Sequence, residues 1–185
     1  MRVPGLVTTP GGHAGLDQQV RVATAKQMQD LGRQLASLLR AGDLVVLSGP
    51  LGAGKTTLAQ GIGSGLGVRG QVTSPTFVIA RVHPSLSAGP DLVHADAYRI
   101  GSRAEVDDLD LDADLATAVT VVEWGEGLVE DLADSFLAVS IKLGARPAAA
   151  EEAAAEEADA GPRTVRIRGL GDRWQGTGWP VLSAD

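Results

Sequence analysis

Cysteine is absent from all 185 residues. That excludes disulfides, thiolate metal sites and a cysteine nucleophile, so any metal must sit on oxygen or histidine. Histidine is scarce too, with three in the chain, and the aromatic residues are two Phe, one Tyr and three Trp. No apolar run approaches the roughly 20 residues of a membrane-spanning helix. The N-terminal stretch MRVPGLVTTPGGHAGL has no apolar segment of signal-peptide length. A soluble, cytoplasmic protein without a membrane role is expected. The formal net charge is -7, which argues against a broad basic face for nucleic acid. Five of the acids, Glu151, Glu152, Glu156, Glu157 and Asp159, crowd into the low-complexity stretch AAAEEAAAEEADAGP, so the rest of the chain is closer to neutral.

Glycine, by contrast, is abundant at 24 residues. With proline it punctuates residues 1–20 (Pro4, Pro10, Gly11, Gly12), which read as a flexible leader. A single domain over 21–170 follows, then a tail over 171–185. Thr24-Ala-Lys-Gln27 matches a capping box, and Met28, Leu31, Leu35, Leu38 and Leu39 share one face, which predicts a helix over 25–40 that stops at Gly42. Apolar, β-branched runs predict strands at 43–48, 76–82, 91–96, 119–123, 135–143 and 164–168. Helices are predicted over 56–66, against the grain of Gly61, Gly63 and Gly65, and over 107–118. The Ala/Glu-rich stretch at about 145–162 reads as a disordered insertion between the last two strands. The fold class is therefore α/β: a P-loop NTPase-like, mostly parallel central sheet flanked by helices, with a C-terminal antiparallel strand pair.

Between the strand at 43–48 and the helix at 56–66 stands GPLGAGKTT, which fits GxxxxGK[ST] at every required position. Backbone N–H groups from Gly49, Leu51, Gly52, Ala53 and Gly54 can turn inward as a nest for phosphate. Lys55 adds a full charge for the β- and γ-phosphates, the Thr56 hydroxyl suits Mg²⁺, and Thr57 is placed for the α-phosphate. The plainer alternative is a glycine-rich turn that happens to carry Lys and Thr. A second acid is needed for Mg²⁺, and two strands end on one: LVHAD at Asp96 and VTVVE at Glu123. Each alone also reads as an acid capping a turn. His94 shares a strand face with Asp96, either as a metal partner or, more simply, packed and hydrogen-bonded beneath the site. Phe77, Tyr98 and Trp124 flank these segments as packing anchors. The chain has no [NT]KxD or LSGGQ-like stretch, which favours ATP over GTP and sets aside transporter ATPases. Arg81, Arg99 and Arg103 are a thin set for the lid of a small-molecule kinase.

GPLGAGKTTLAQGIGSGLGV, TSPTF at 73–77, HADAYR at 94–99 and VEWGE at 122–126, in this order, resemble the bacterial TsaE (YjeE) family of ATPases in tRNA threonylcarbamoyladenosine synthesis. The likeness runs over about 24–141, with Pro50, Ala95 and Ala97 departing from the usual pattern. It implies that ATP and Mg²⁺ bind, with Thr56 and Glu123 on the metal, Lys55 on the phosphates and Asp96 supporting hydrolysis. Lys55, Asp96 and Glu123 would be the catalytic set. Ser74, Pro75 and Thr76 would form a switch-like loop, supported by His94, Tyr98, Arg99 and Trp124. The implied partners are TsaD and TsaB homologues, through which tRNA would be contacted. A small-molecule kinase and a nucleotide-gated binder without turnover are the alternatives.

Overall fold

A computed structural model describes residues 15–74, 80–100, 105, 115–144 and 161–179. Its strands are β1 (Asp17–Val22), β2 (Leu44–Ser48), β3 (Ala80–His83), β4 (Asp91–Asp96), β5 (Ala118–Glu123), β6 (Phe136–Leu143) and β7 (Arg163–Leu170); its helices are α1 (Ala25–Ala36) and α2 (Lys55–Leu66). All seven strands form one sheet in the order β1-β7-β6-β2-β5-β4-β3. The central four, β6, β2, β5 and β4, run parallel, while β3, β7 and β1 are antiparallel to their neighbours. Buried on both faces, β2 and β5 are continuous apolar runs, whereas β6 alternates and sends Leu137, Val139 and Ile141 to the helical side.

α1 and α2 lie together on that side. Thr24 Oγ1 accepts the Gln27 N–H at 3.1 Å, and Gln27 Oε1 accepts the Ala23 N–H at 2.7 Å, so the predicted cap forms with its return arm one residue earlier. α1 ends at Ala36 rather than near residue 40, because Ser37, Leu38 and Leu39 turn into i−3 backbone bonds; Leu39 nevertheless stays buried. The glycines that weaken α2 in isolation serve the helix crossing. A Cβ on Gly61 would stand 2.3 Å from the Gln29 carbonyl oxygen, and one on Gly32 would stand 2.4 Å from that of Leu58. The two backbones touch, and larger residues would force them apart.

The termini depart from expectation. Residues 17–20, assigned to the leader, belong to β1, and Leu16 and Val20 are buried, because the strand fills the edge that β7 would otherwise expose. The expected tail is part of the body as well: Trp174 is fully buried, in the space left by Gly169, and Trp179 packs against the same core. Arg173 donates to both Asp43 carboxylate oxygens, at 3.1 and 3.0 Å, and to the Leu38 carbonyl at 2.7 Å, tying this segment to the start of β2. Trp174→Ala is expected to cost about 3–5 kcal/mol, the range for a large aromatic removed from a packed core. Urea denaturation checks this, and a loss under about 1 kcal/mol would contradict the packing described. The exposed Lys26–Asp30 pair should by comparison contribute only a few tenths.

Of the predicted strand 76–82, residues 80–82 are in β3 and 76–79 lie outside the described residues. Most of the predicted helix 107–118 and residues 145–160 of the insertion also lie outside them, and Ala118 opens β5. No helix among the described residues is long and apolar enough to cross a membrane.

Candidate nucleotide site

β2 leads straight into the glycine loop. Gly49 (φ 143°) leaves the strand where a Cβ would stand 2.5 Å from the Ile141 carbonyl oxygen, and Gly54 (φ 102°) caps α2 in a left-handed conformation closed to ordinary side chains. No side chain caps α2, and its first turn holds no acid. Its leading N–H groups and dipole are thus directed at the loop, the usual arrangement for an anion. Thr56 and Thr57 stand in that first turn, beside Leu51 and Gly52 of the loop, and all four line a cavity of about 370 Å³.

Parallel pairing brings both acids to this cavity. In register, Asp96 of β4 lies opposite Glu123 of β5, and Glu123 lies opposite Leu47 at the end of β2. Thr56 Oγ1 donates to Glu123 Oε1 at 2.8 Å, with Oε2 at 3.2 Å. His94 Nε2 donates to the same Oε1 at 2.9 Å from beneath, where the imidazole is fully buried. Glu123 is therefore a buried carboxylate oriented from two sides. Asp96 accepts the Tyr98 N–H at 2.9 Å and faces Ser74 Oγ at 3.5 Å. Of the switch-like trio, Ser74 lines the cavity, and Pro75 and Thr76 lie outside the described residues, as does Phe77.

Lys55 is buried, with its ammonium donating to the carbonyls of Gly49 (2.8 Å) and Pro50 (3.0 Å). The same nitrogen lies 3.6 Å from the centre of the Trp124 ring, a cation–π contact. Burial pulls the ammonium pKa below the ordinary lysine value, and the nearby carboxylates of Glu123 and Asp96 partly restore it. Trp124, at φ 61°, is the one non-glycine residue with positive φ among the described residues. Its N–H is held by the Leu47 carbonyl at 2.9 Å, and its ring tilts against Tyr98 with centroids 5.1 Å apart. No sequence signal marks this Lys55–Trp124–Tyr98 stack, because it depends on a strained backbone angle one residue after a strand. Arg99 lies on an exposed turn; Arg81 donates to Thr73 Oγ1 at 3.2 Å, and Arg103 is outside the described residues.

The donor set suits Mg²⁺. A hydroxyl and one carboxylate, both hard oxygen donors, stand together at the mouth of the loop, the kind of partial protein set that would hold Mg²⁺ alongside phosphate oxygens. Among the described residues no cluster of three His, Asp or Glu forms a protein cage, as Mg²⁺ does not require one. A larger groove of about 520 Å³ lies at the opposite end of β7, but its Arg166 and Asp17 are joined to each other at 2.8 Å and it is remote from the loop.

Strand, phosphate-type loop, helix and two strand-end acids define a P-loop NTPase-like α/β protein. The chain belongs to the TsaE family: a family model described as "Threonylcarbamoyl adenosine biosynthesis protein TsaE" matches residues 22–151. It is 57% identical over 157 residues to the Streptomyces coelicolor "tRNA threonylcarbamoyladenosine biosynthesis protein TsaE", covering 84% of this chain and 99% of that one. The Mycobacterium tuberculosis H37Rv protein of the same name is 48% identical over 148 residues, 75% of this chain and 88% of its own. Among solved structures, Bacillus subtilis YdiB superposes with a TM-score of 0.62 at 25% identity, covering 88% of this chain and 92% of that one.

Proposed function

We propose that this protein is an Mg²⁺-dependent ATPase that binds a TsaD–TsaB complex and supports its turnover in threonylcarbamoyl modification of the adenosine beside the tRNA anticodon. The observation that carries the reading is the Thr56 hydroxyl on the Glu123 carboxylate at 2.8 Å, at the mouth of the glycine loop and next in register to Asp96. The family's description supplies the biological setting.

Each residue has a task in that reading. The loop N–H groups and the α2 N-terminus bind the phosphates, and Lys55 transfers its ammonium from the loop carbonyls to the β- and γ-phosphate oxygens. Thr56 and Glu123 hold Mg²⁺, which neutralises charge on the phosphates when bound. Asp96 orients the attacking water. His94 fixes Glu123 from below, and Trp124 and Tyr98 line the cavity beside Lys55. Ser74, beside Asp96 on the cavity lining, would sense the γ-phosphate end of the site.

His94→Ala is expected to raise the Mg²⁺ concentration at half-maximal ATPase activity by roughly 10-fold or more, the scale of losing a residue that orients a metal ligand. A Mg²⁺ titration of activity checks this; an unchanged midpoint would remove His94 from the site's support. The reading as a whole is tested by pull-down with the full chain as bait. Recovery of the TsaD and TsaB homologues with a non-hydrolysable ATP analogue, and not without nucleotide, is the expected result. Equal recovery in both conditions, or in neither, would overturn nucleotide-gated binding.

A further inference from the structure

The two faces of the sheet are covered unequally. One carries α1 and α2; the other is packed over β2, β5 and β4 by a second apolar cluster, in which Leu44, Val46, Val93 and Val122 meet Leu115 and Val129. Over β1, β7 and β6 the side chains of that second face are exposed or half-buried, and they are not apolar. Alternation along β7 turns Val165 and Ile167 to the helices and Arg166 and Arg168 away from them. The same alternation puts Arg21 of β1 and Lys142 of β6 on the outer face, and all four cations are exposed. Register sets Thr164 between Lys142 and Arg21, with Arg168 four residues further along β7. The cations thus span about 10 Å across the strands and about 13 Å along them.

Asp17, the one acid that these three strands put on the face, is held by Arg166 at 2.8 Å. No ion pair joins Arg21, Lys142 or Arg168 to another described residue. A formal charge of -7 rules against a broad basic face, but this one is narrow, and cations set apart on one surface of an acidic chain mark a site for a polyanion. The rest of the face says which. Thr164, Ser140 and Gln19 stand among the cations, and residues 17–21, 138–142 and 164–168 include no aromatic. Without rings the face cannot stack unpaired bases, and without apolar anchors it lacks the core of a protein–protein interface. A flat set of hydrogen-bonding groups and cations suits the phosphates and 2′-hydroxyls by which duplex RNA is recognised. We propose that the outer face of β1, β7 and β6 is a weak, sequence-independent docking surface for the backbone of an RNA duplex, with Arg21, Lys142 and Arg168 as its phosphate contacts. In the setting proposed above, the stems of tRNA are such duplexes. The charge argument does not use the nucleotide site, so RNA binding and ATPase activity fail separately.

The test is fluorescence anisotropy with two RNA hairpins of unrelated stem sequence, titrated with the full chain, its acids at 151–159 included. At low salt both are expected to bind with Kd on the order of 1–100 μM, and log Kd should rise against log salt with a slope of roughly 2–3, as about three neutralised phosphates require. The R21Q/K142Q/R168Q variant should keep the parent's melting temperature and ATPase activity, weaken both hairpins about tenfold or more, and flatten the salt dependence. A triple variant that binds within about twofold of the parent would overturn the proposal. So would polyglutamate bound as tightly as RNA, which gives the face to an acidic protein. A parent chain that binds neither hairpin at low salt would also overturn it, as would binding that emerges only when Glu151, Glu152, Glu156, Glu157 and Asp159 are replaced by amides, which gives the face to the chain's own acids.

Discussion

Lys55→Ala is expected to abolish measurable ATP binding. The substitution removes the one cation that reaches the cavity from the loop itself, where the ammonium is buried and held by two loop carbonyls and the Trp124 ring. For a charge so nearly buried, a contact with phosphate is worth more than at an exposed surface, and losses on the order of 100-fold or more follow from its removal. Calorimetric titration with ATP reads the effect, and affinity within a few-fold of the parent would exclude Lys55 from phosphate binding. A pH profile gives an independent check. Burial lowers the Lys55 pKa, so the site loses its charge at a pH below the ordinary lysine value of 10.5. Affinity should hold steady below that depressed value and fall as pH rises through it, while bound phosphate pushes the pKa back up and draws in a proton.

Glu123→Ala and Asp96→Ala are expected to lower ATP hydrolysis by roughly 100-fold or more while leaving nucleotide binding largely intact. Both acids end parallel strands and lie opposite each other, yet their surroundings differ. Glu123 is locked by the Thr56 hydroxyl and the His94 ring, as befits a metal ligand. Asp96 instead accepts the Tyr98 N–H and faces Ser74 Oγ at 3.5 Å on the lining of the same cavity, the place from which a carboxylate would meet a water. Glu123→Ala should therefore also weaken Mg²⁺ dependence, and Asp96→Ala should not. Single-turnover hydrolysis with a parallel binding assay separates the two. Unchanged turnover in both variants would show that the catalytic acids lie elsewhere.

Much of this architecture is legible in the sequence, and the reasons are local. GPLGAGKTT announces itself because a strand-to-helix turn around phosphate needs glycine at fixed spacing. LVHAD and VTVVE show strand and acid together, and parallel pairing does the rest. What escaped the sequence depends on distant contacts. Gly61 reads as a flaw in α2 until Gln29 of α1 is seen against it. Residues 17–20 look like leader because their partner strand, β7, is more than 140 residues away. Trp174 lies in what reads as a tail, and only the gap at Gly169 reveals that it belongs to the core. Trp124 is named by its motif, but its left-handed backbone and its hold on Lys55 have no signature in composition or periodicity.

ATP turnover by the full chain in Mg²⁺, measured alone and with TsaD and TsaB homologues added, decides whether the protein is a partner-stimulated ATPase. Slow hydrolysis alone that rises sharply with the partners is the predicted result. Turnover indifferent to the partners, or robust phosphoryl transfer to a metabolite without them, would contradict it.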